Sequence, residues 1–62
     1  MDIVVGKPIG DPFESRLLFV KDDLAVFQGR SEAMPEFYWV QTKDGEVVFF
    51  SDRLERCIET VF

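Results

Sequence analysis

Apolar residues fall into short runs along the chain, and the first two runs lie close together. They span residues 16–20 and 24–28, with the polar residues 21–23 between them. Two strand-length apolar runs on either side of a short polar segment predict a β-hairpin. A single helix over residues 14–27 is the alternative, and the polar residues in its middle and its β-branched residues count mildly against it. We therefore predict two antiparallel strands here.

The length of the predicted turn fixes which residues of this first hairpin face each other. A three-residue turn pairs Val20 with Leu24, Leu18 with Val26, Phe19 with Ala25 and Leu17 with Phe27. These pairs are divided between the two faces of the hairpin, and every one of them is apolar. Both faces are therefore expected to be covered by other parts of the chain.

A second hairpin is predicted further along the chain. Residues 37–42 and 46–50 are rich in aromatic and β-branched side chains, and they flank the segment Lys-Asp-Gly at residues 43–45. Such runs around Asp-Gly are the strongest short-range hairpin signal. A two-residue turn would place Trp39 opposite Phe50, whereas a three-residue turn with a bulge at the glycine would place Trp39 opposite the residue before it. The sequence leaves both registers open.

Residues 51–62 change to a helical period. The apolar positions are Leu54, Cys57, Ile58, Val61 and Phe62. They fall at i, i+3, i+4, i+7 and i+8, which is the spacing of one helix face. We therefore predict an amphipathic C-terminal helix, and we expect Leu54, Ile58 and Val61 to face the core.

The start of this helix has a signal of its own. Asp52 followed by Glu55 has the spacing of an N-cap residue with its capping-box partner. The alternative interpretation is a turn at residues 51–55 and a final strand over residues 57–62. That arrangement would make the chain a small all-β, SH3-like barrel.

Two loop-forming segments separate these elements. Residues 6–13 contain two glycines and two prolines, which interrupt regular structure, and residues 29–36 are mostly polar. Residues 2–5 form a short β-prone start. We predict one α+β domain over residues 1–62, with a small antiparallel sheet of four to five strands, built from two hairpins, and one C-terminal helix.

The amino-acid composition argues against several kinds of catalytic and metal site. The 62 residues include no histidine, which is the commonest general base and metal ligand, and they include one cysteine, Cys57. A single cysteine forms neither an intrachain disulfide nor a cysteine-based zinc site. Its position on the apolar stripe predicts a buried small hydrophobe. We therefore predict that the protein is not an enzyme and holds no cofactor or metal.

The same counts bear on location. Small secreted domains usually depend on disulfides, and the N-terminus shows no signal-peptide pattern. The longest uninterrupted apolar stretches have four residues, whereas a membrane span needs ~18. We therefore predict a cytoplasmic protein without a membrane partner.

The charge balance points to a class of partner. The chain has 12 Asp and Glu against 7 scattered Lys and Arg, a net charge of −5. This charge repels phosphate backbones, so direct nucleic-acid binding is not expected. The leading hypothesis is an acidic interaction module that binds and modulates a larger protein with a basic surface. The alternatives are a self-associating structural subunit, such as a homodimer, and a nucleic-acid mimic that inhibits a DNA- or RNA-binding protein.

The candidate binding surface combines an aromatic patch with an acidic rim. Met34 and Pro35 place an apolar, stiffened tip on the loop of residues 29–36, and the exposed face of the second hairpin adds aromatic rings. Acidic residues surround both features. The predicted partner-binding residues are Glu32, Met34, Pro35, Glu36, Tyr38, Trp39, Asp44 and Glu46.

Overall fold

The computed structural model describes residues 3–10 and 12–62, which form an open antiparallel sheet with one helix. The elements in chain order are β1 (Glu14–Lys21), β2 (Leu24–Arg30), β3 (Phe37–Thr42), β4 (Val47–Ser51) and α1 (Leu54–Val61). The strands lie in the sheet in the order β1-β2-β3-β4. The predicted α+β architecture is confirmed. Residues 3–5 form no strand, and Asp2 lies outside the described residues, so the described sheet has four strands.

Both faces of the central strands β2 and β3 are covered. The predicted covering of both faces of the first hairpin therefore holds for β2, whereas Leu17 and Val20 of β1 are exposed. On one face, called here the helix face, α1 packs through Cys57 against Val26, Tyr38 and Val40. The opposite face, called here the N-terminal face, holds a second buried cluster of Ala25, Phe27, Phe37 and Trp39. Ile3, Ile9 and Phe13, from the segment before β1, pack against this second cluster.

The first hairpin is one residue tighter than predicted. Lys21 pairs with Leu24, so the turn contains only the two residues between them, and the first of these, Asp22, has φ of 56°. The predicted pairing of Val20 with Leu24 is therefore wrong. The observed pairs are Lys21 with Leu24, Val20 with Ala25 and Phe19 with Val26. A bulge at Leu18 then restores the predicted pairing of Leu17 with Phe27.

The second hairpin combines features of both predicted registers. The Thr42 N–H donates a hydrogen bond to the Glu46 carbonyl at 2.9 Å, so residues 43–45 form a three-residue turn, and its glycine has φ of 94°. Part-way along the hairpin the register shifts by one residue. Trp39 consequently lies opposite Phe50, which is the pairing expected for the shorter turn.

The predicted capping box of α1 is wrong. The N-cap residue is Arg53, whose side chain makes no capping hydrogen bond. Its backbone N–H donates instead to the Ser51 hydroxyl at 3.1 Å, so the chain turns into the helix one residue later than Asp52 predicts. Within residues 3–10 and 12–62, no helix has the length and apolar character needed to cross a membrane.

Only part of the predicted apolar stripe of α1 faces the sheet. Cys57 is fully buried, and Leu54 and Val61 pack around it. Ile58 is 36% exposed, so the prediction that it faces the core is wrong. Successive residues of a helix are rotated by about 100° around its axis. Because Cys57 lies at the centre of the contact with the sheet, Ile58 is rotated toward solvent. Phe62, 73% exposed, lies 6.1 Å from the ring of Phe19, centroid to centroid.

Candidate functional site

The predicted site residues lie at two opposite ends of the sheet. β3 begins directly after the loop that carries Glu32 and Glu36 and ends at the turn that carries Asp44, with Glu46 beyond it. Its six residues span about 20 Å at about 3.3 Å per residue. The structure therefore brings the loop residues together and separates them from Asp44 and Glu46. The predicted partner-binding residues therefore do not form one continuous surface.

The predicted aromatic patch is part of the core. Trp39 is fully buried, with its ring stacked on Phe27 at a centroid distance of 5.2 Å and Phe13 edge-on at 5.7 Å. Tyr38 points to the helix face and is only 8% exposed. Because β3 is a central strand with both faces covered, neither ring presents a contact surface. Their assignment to a binding surface is corrected on this ground.

The loop between β2 and β3 is held in shape by its own hydrogen bonds. The Ser31 N–H donates to the Met34 carbonyl at 2.9 Å, and the Met34 N–H donates to the Ser31 hydroxyl at 3.0 Å. Met34 packs against the core cluster of the N-terminal face, so it anchors the loop from inside and is not the exposed tip that the sequence predicts. Pro35 follows it and fixes one further backbone dihedral.

The outward side of this loop forms a small mixed surface. It consists of the exposed residues Glu32, Ala33, Pro35 and Glu36, and it is called here the loop surface. Ala33 and Pro35 supply apolar contact, and the two glutamates supply negative charge. Since Met34 and the Ser31 hydrogen bonds fix the backbone beneath it, this surface has a defined shape before any partner binds.

Three surface grooves border the loop surface. The first, about 470 Å³, lies between Pro35, Glu36 and the paired ends of β1 and β2. The second, about 450 Å³, lies between Pro35 and the segment Pro12 to Glu14. The third, about 560 Å³, lies between Met34 and the segment around Ile9. The loop therefore stands between concave spaces that side chains of a partner protein can enter.

The charges at this end of the sheet are only partly neutralised. The guanidinium of Arg30 forms an ion pair with Glu14 at 2.7 Å, so it does not neutralise the glutamates of the loop. Glu36 accepts a hydrogen bond from the Tyr38 hydroxyl, and this bond favours the neutral phenol and raises the pKa of Tyr38. Among the described residues, neither Glu32 nor Glu36 forms an ion pair with a basic side chain. The loop surface is therefore acidic.

Some contributors to this surface carry no clear sequence signal. Glu14 and Arg30 are 16 positions apart, and their ion pair depends on the strand register of the first hairpin. Pro12 belongs to the glycine- and proline-rich loop and lines two of the grooves. The predicted pairing of the first hairpin places residues 12–16 beside residues 30–36. This pairing is the one sequence feature that indicates that Glu14 and Pro12 contribute to the surface.

Potential metal ligands are dispersed over the described part of the chain. Within residues 3–10 and 12–62, no three His, Cys, Asp or Glu side chains are placed so that they could hold a metal ion together. Cys57 is buried between α1, to which it belongs, and the sheet, and burial raises the pKa of its thiol.

No protein-family model, curated protein or solved structure matches this chain. The candidate surface is therefore defined by its own geometry and charge.

Proposed function

We propose that the chain is a non-enzymatic interaction module whose loop surface binds a larger protein that carries basic residues at the contact. The observation that supports this most directly is the state of the loop. The residues of the loop surface are exposed, yet the Ser31 hydrogen bonds and the partly buried Met34 side chain hold the backbone in place. A surface that is rigid before binding loses less conformational entropy when a partner docks.

Each part of the loop surface has a separate role in this proposal. Ala33 and Pro35 form the apolar centre, and the neighbouring grooves receive partner side chains. Glu32 and Glu36 lie on either side of that centre. Charges at the rim of an interface act mainly on the rate of encounter, and salt weakens their effect. The partner is accordingly expected to present Lys or Arg around an apolar patch.

Photo-crosslinking both captures the partner protein and locates the contact. A photoreactive amino acid at position 33 tests the loop surface, and the same group at position 44 tests the opposite end of the sheet. Both positions are exposed. After irradiation in an extract of the source cell, we expect one protein to be attached through position 33 and not through position 44. Attachment through position 44 alone would move the site to the other end.

Binding kinetics with the captured protein test the role of the charges. The double variant E32K/E36K is expected to slow association at low ionic strength, and the difference from wild type should shrink as salt is added. D44K/E46K is the matched control, because it changes the net charge equally at the other end of β3. Equal effects of the two double variants would show that only overall charge matters and would contradict the proposal. If free DNA or RNA displaces the chain from the captured protein, the nucleic-acid mimic becomes the better description.

A further inference from the structure

The outer strand β1 has an edge that no other described strand covers. It is the first strand of the sheet and pairs only with β2. Its first four residues, Glu14 to Leu17, are all exposed. Leu17 and Val20 are each 43% exposed. An uncovered edge presents unpaired backbone groups to another strand.

The bulge in β1 restricts where such a strand can pair. Up to Leu17 the pairing with β2 is regular, and the register shifts at Leu18. A bulge twists a strand edge and interrupts pairing. The bulge therefore divides the edge into two regular stretches, residues 14–17 and 19–21. The longer stretch, residues 14–17, lies beside the 470 Å³ groove that Glu14, Ser15 and Arg16 line.

Residues 14–17 carry one negative and one positive side chain, Glu14 and Arg16, so two copies of this stretch can pair opposite charges. Glu14 and Arg16 point to the helix face, since they lie opposite Arg30 and Gln28 of β2. When two copies of this strand run antiparallel about Ser15, Glu14 of each copy lies opposite Arg16 of the other. Arg16 is exposed and, among the described residues, forms no ion pair, so its guanidinium is available.

The same register matches on the N-terminal face. There Leu17 of each copy lies opposite Phe13 of the other, so two apolar pairs accompany the two charge pairs. A two-fold axis at Arg16 would instead oppose two guanidinium groups. An axis at Leu17 would carry the pairing across the bulge, where residues facing each other no longer share a face.

We infer that a second copy of this chain pairs with β1 in antiparallel fashion about Ser15, and that two sheets of four strands join into one of eight. The contact is a short strand edge, and small interfaces are typical of weak, reversible association. The inference does not depend on the loop surface and is tested separately from it.

Sedimentation equilibrium over a range of concentrations tests the dimer through its charges. The single variants E14R and R16E each oppose like charges twice, and each is expected to raise the dimer dissociation constant about tenfold or more. E14R/R16E restores opposite charges and is expected to return the constant toward that of the wild type. E46R, which makes the same charge change as E14R at the other end of the sheet, is the control and should leave dimerisation unchanged.

Mixing the two single variants gives the sharper test. One copy then carries Arg at positions 14 and 16, the other carries Glu at both, and a heterodimer satisfies both charge pairs. We expect E14R and R16E to associate with each other more strongly than either does with itself. A chain that stays monomeric at every concentration would overturn the inference. Single variants that behave like E46R would also overturn it, and so would a mixture that forms no heterodimer.

A cysteine at the proposed two-fold axis tests the register directly. Residues directly opposite in an antiparallel pair have Cβ atoms about 5 Å apart, so Ser15→Cys is expected to form a disulfide between two copies under mild oxidation. Glu46→Cys, exposed at the other end of the sheet, is the control and should remain largely monomeric. Equal crosslinking of the two variants would contradict pairing about Ser15. Circular dichroism establishes in each case that the variant is folded.

Discussion

Trp39 and Gln41 lie on the same face of β3 and share one buried hydrogen bond. The indole Nε1 donates to the Gln41 Oε1 at 2.9 Å, and both side chains are fully buried. The same oxygen accepts the Gly6 N–H at 2.5 Å, while the Gln41 Nε2 donates to the Val4 carbonyl at 2.6 Å. One side-chain amide therefore ties the segment before β1 to the centre of the sheet.

Replacing this amide should loosen the N-terminal segment. Gln41→Leu removes the partners of the Trp39 indole N–H, the Gly6 N–H and the Val4 carbonyl. The Thr42 carbonyl also loses this donor but keeps the Gly45 N–H. Each buried group left unpaired costs about 1–3 kcal/mol. Because the segment can lift to reach water, we expect a total loss of about 3 kcal/mol in the free energy of unfolding, measured by urea denaturation. The double variant with Trp39→Phe should lose less than the sum of the single variants, since both remove the same bond. Strict additivity would contradict a shared bond.

Gly29 is predicted to tolerate no side chain. A Cβ at this position would overlap the ring of Phe37 and lie 2.8 Å from the ring of Trp39. Because the cluster is closely packed, Gly29→Ala is expected to lower the free energy of unfolding by about 1–3 kcal/mol. Gly10→Ala is the matched control, since nothing lies within 4 Å of its added Cβ. Equal melting temperatures for the two variants would show that the rings move aside freely.

The two sides of α1 are predicted to differ in their contribution to stability. Leu54 packs against the buried cluster of the helix face, so Leu54→Ala should cost about 2 kcal/mol. Ile58 is more exposed, and Ile58→Ala should cost under about 1 kcal/mol. Thermal melts of the two variants measure the difference. A greater loss for Ile58→Ala would mean that α1 is rotated about its axis relative to the sheet.

The elements of this fold follow from local patterns, whereas the registers depend on packing. Both hairpins and the helix occur where apolar spacing and turn residues predict them. The bulge at Leu18 has no local signature, because it is decided by which side chains meet across the sheet. The same holds for the shift that brings Trp39 opposite Phe50 after a three-residue turn.

Which side chains of the candidate site are exposed could not be predicted from local patterns either. Strand alternation alone does not say whether the second face of β3 is open, and it is closed here because the segment before β1 folds back over Trp39. The inward position of Met34 has the same origin. By contrast, the separation of Glu36 from Asp44 was predictable, since the six-residue strand between them was itself predicted and a strand of that length keeps its ends about 20 Å apart.

Stability should fall at alkaline pH through Cys57. Burial raises the pKa of this thiol above its ordinary value of 9.0, so above that pH the unfolded chain releases the proton while the folded chain retains it. The contribution of the thiol is then fully present below about pH 9 and is lost as the pH rises through the folded-state pKa. Urea denaturation from pH 7 to pH 11 should show a shallower alkaline decline for Cys57→Ala than for wild type. Parallel declines would assign the effect to other groups.

The turn of the first hairpin is predicted to improve when its first residue becomes glycine. Asp22 has φ of 56°, and no other non-glycine residue in the described part of the chain has a positive φ. A positive φ at the first of two turn residues is the arrangement in which glycine is preferred, because a Cβ is strained there. Asp22→Gly is therefore expected to raise the free energy of unfolding by about 0.5–1 kcal/mol. The relief of backbone strain in the folded state is expected to exceed the cost of the conformational entropy that glycine adds to the unfolded chain. Asp22→Asn removes the same charge without removing the Cβ, and Asp23→Gly adds a glycine where φ is not positive, so neither should reproduce the gain. An equal gain from Asp22→Asn would assign the effect to charge repulsion between the two adjacent aspartates.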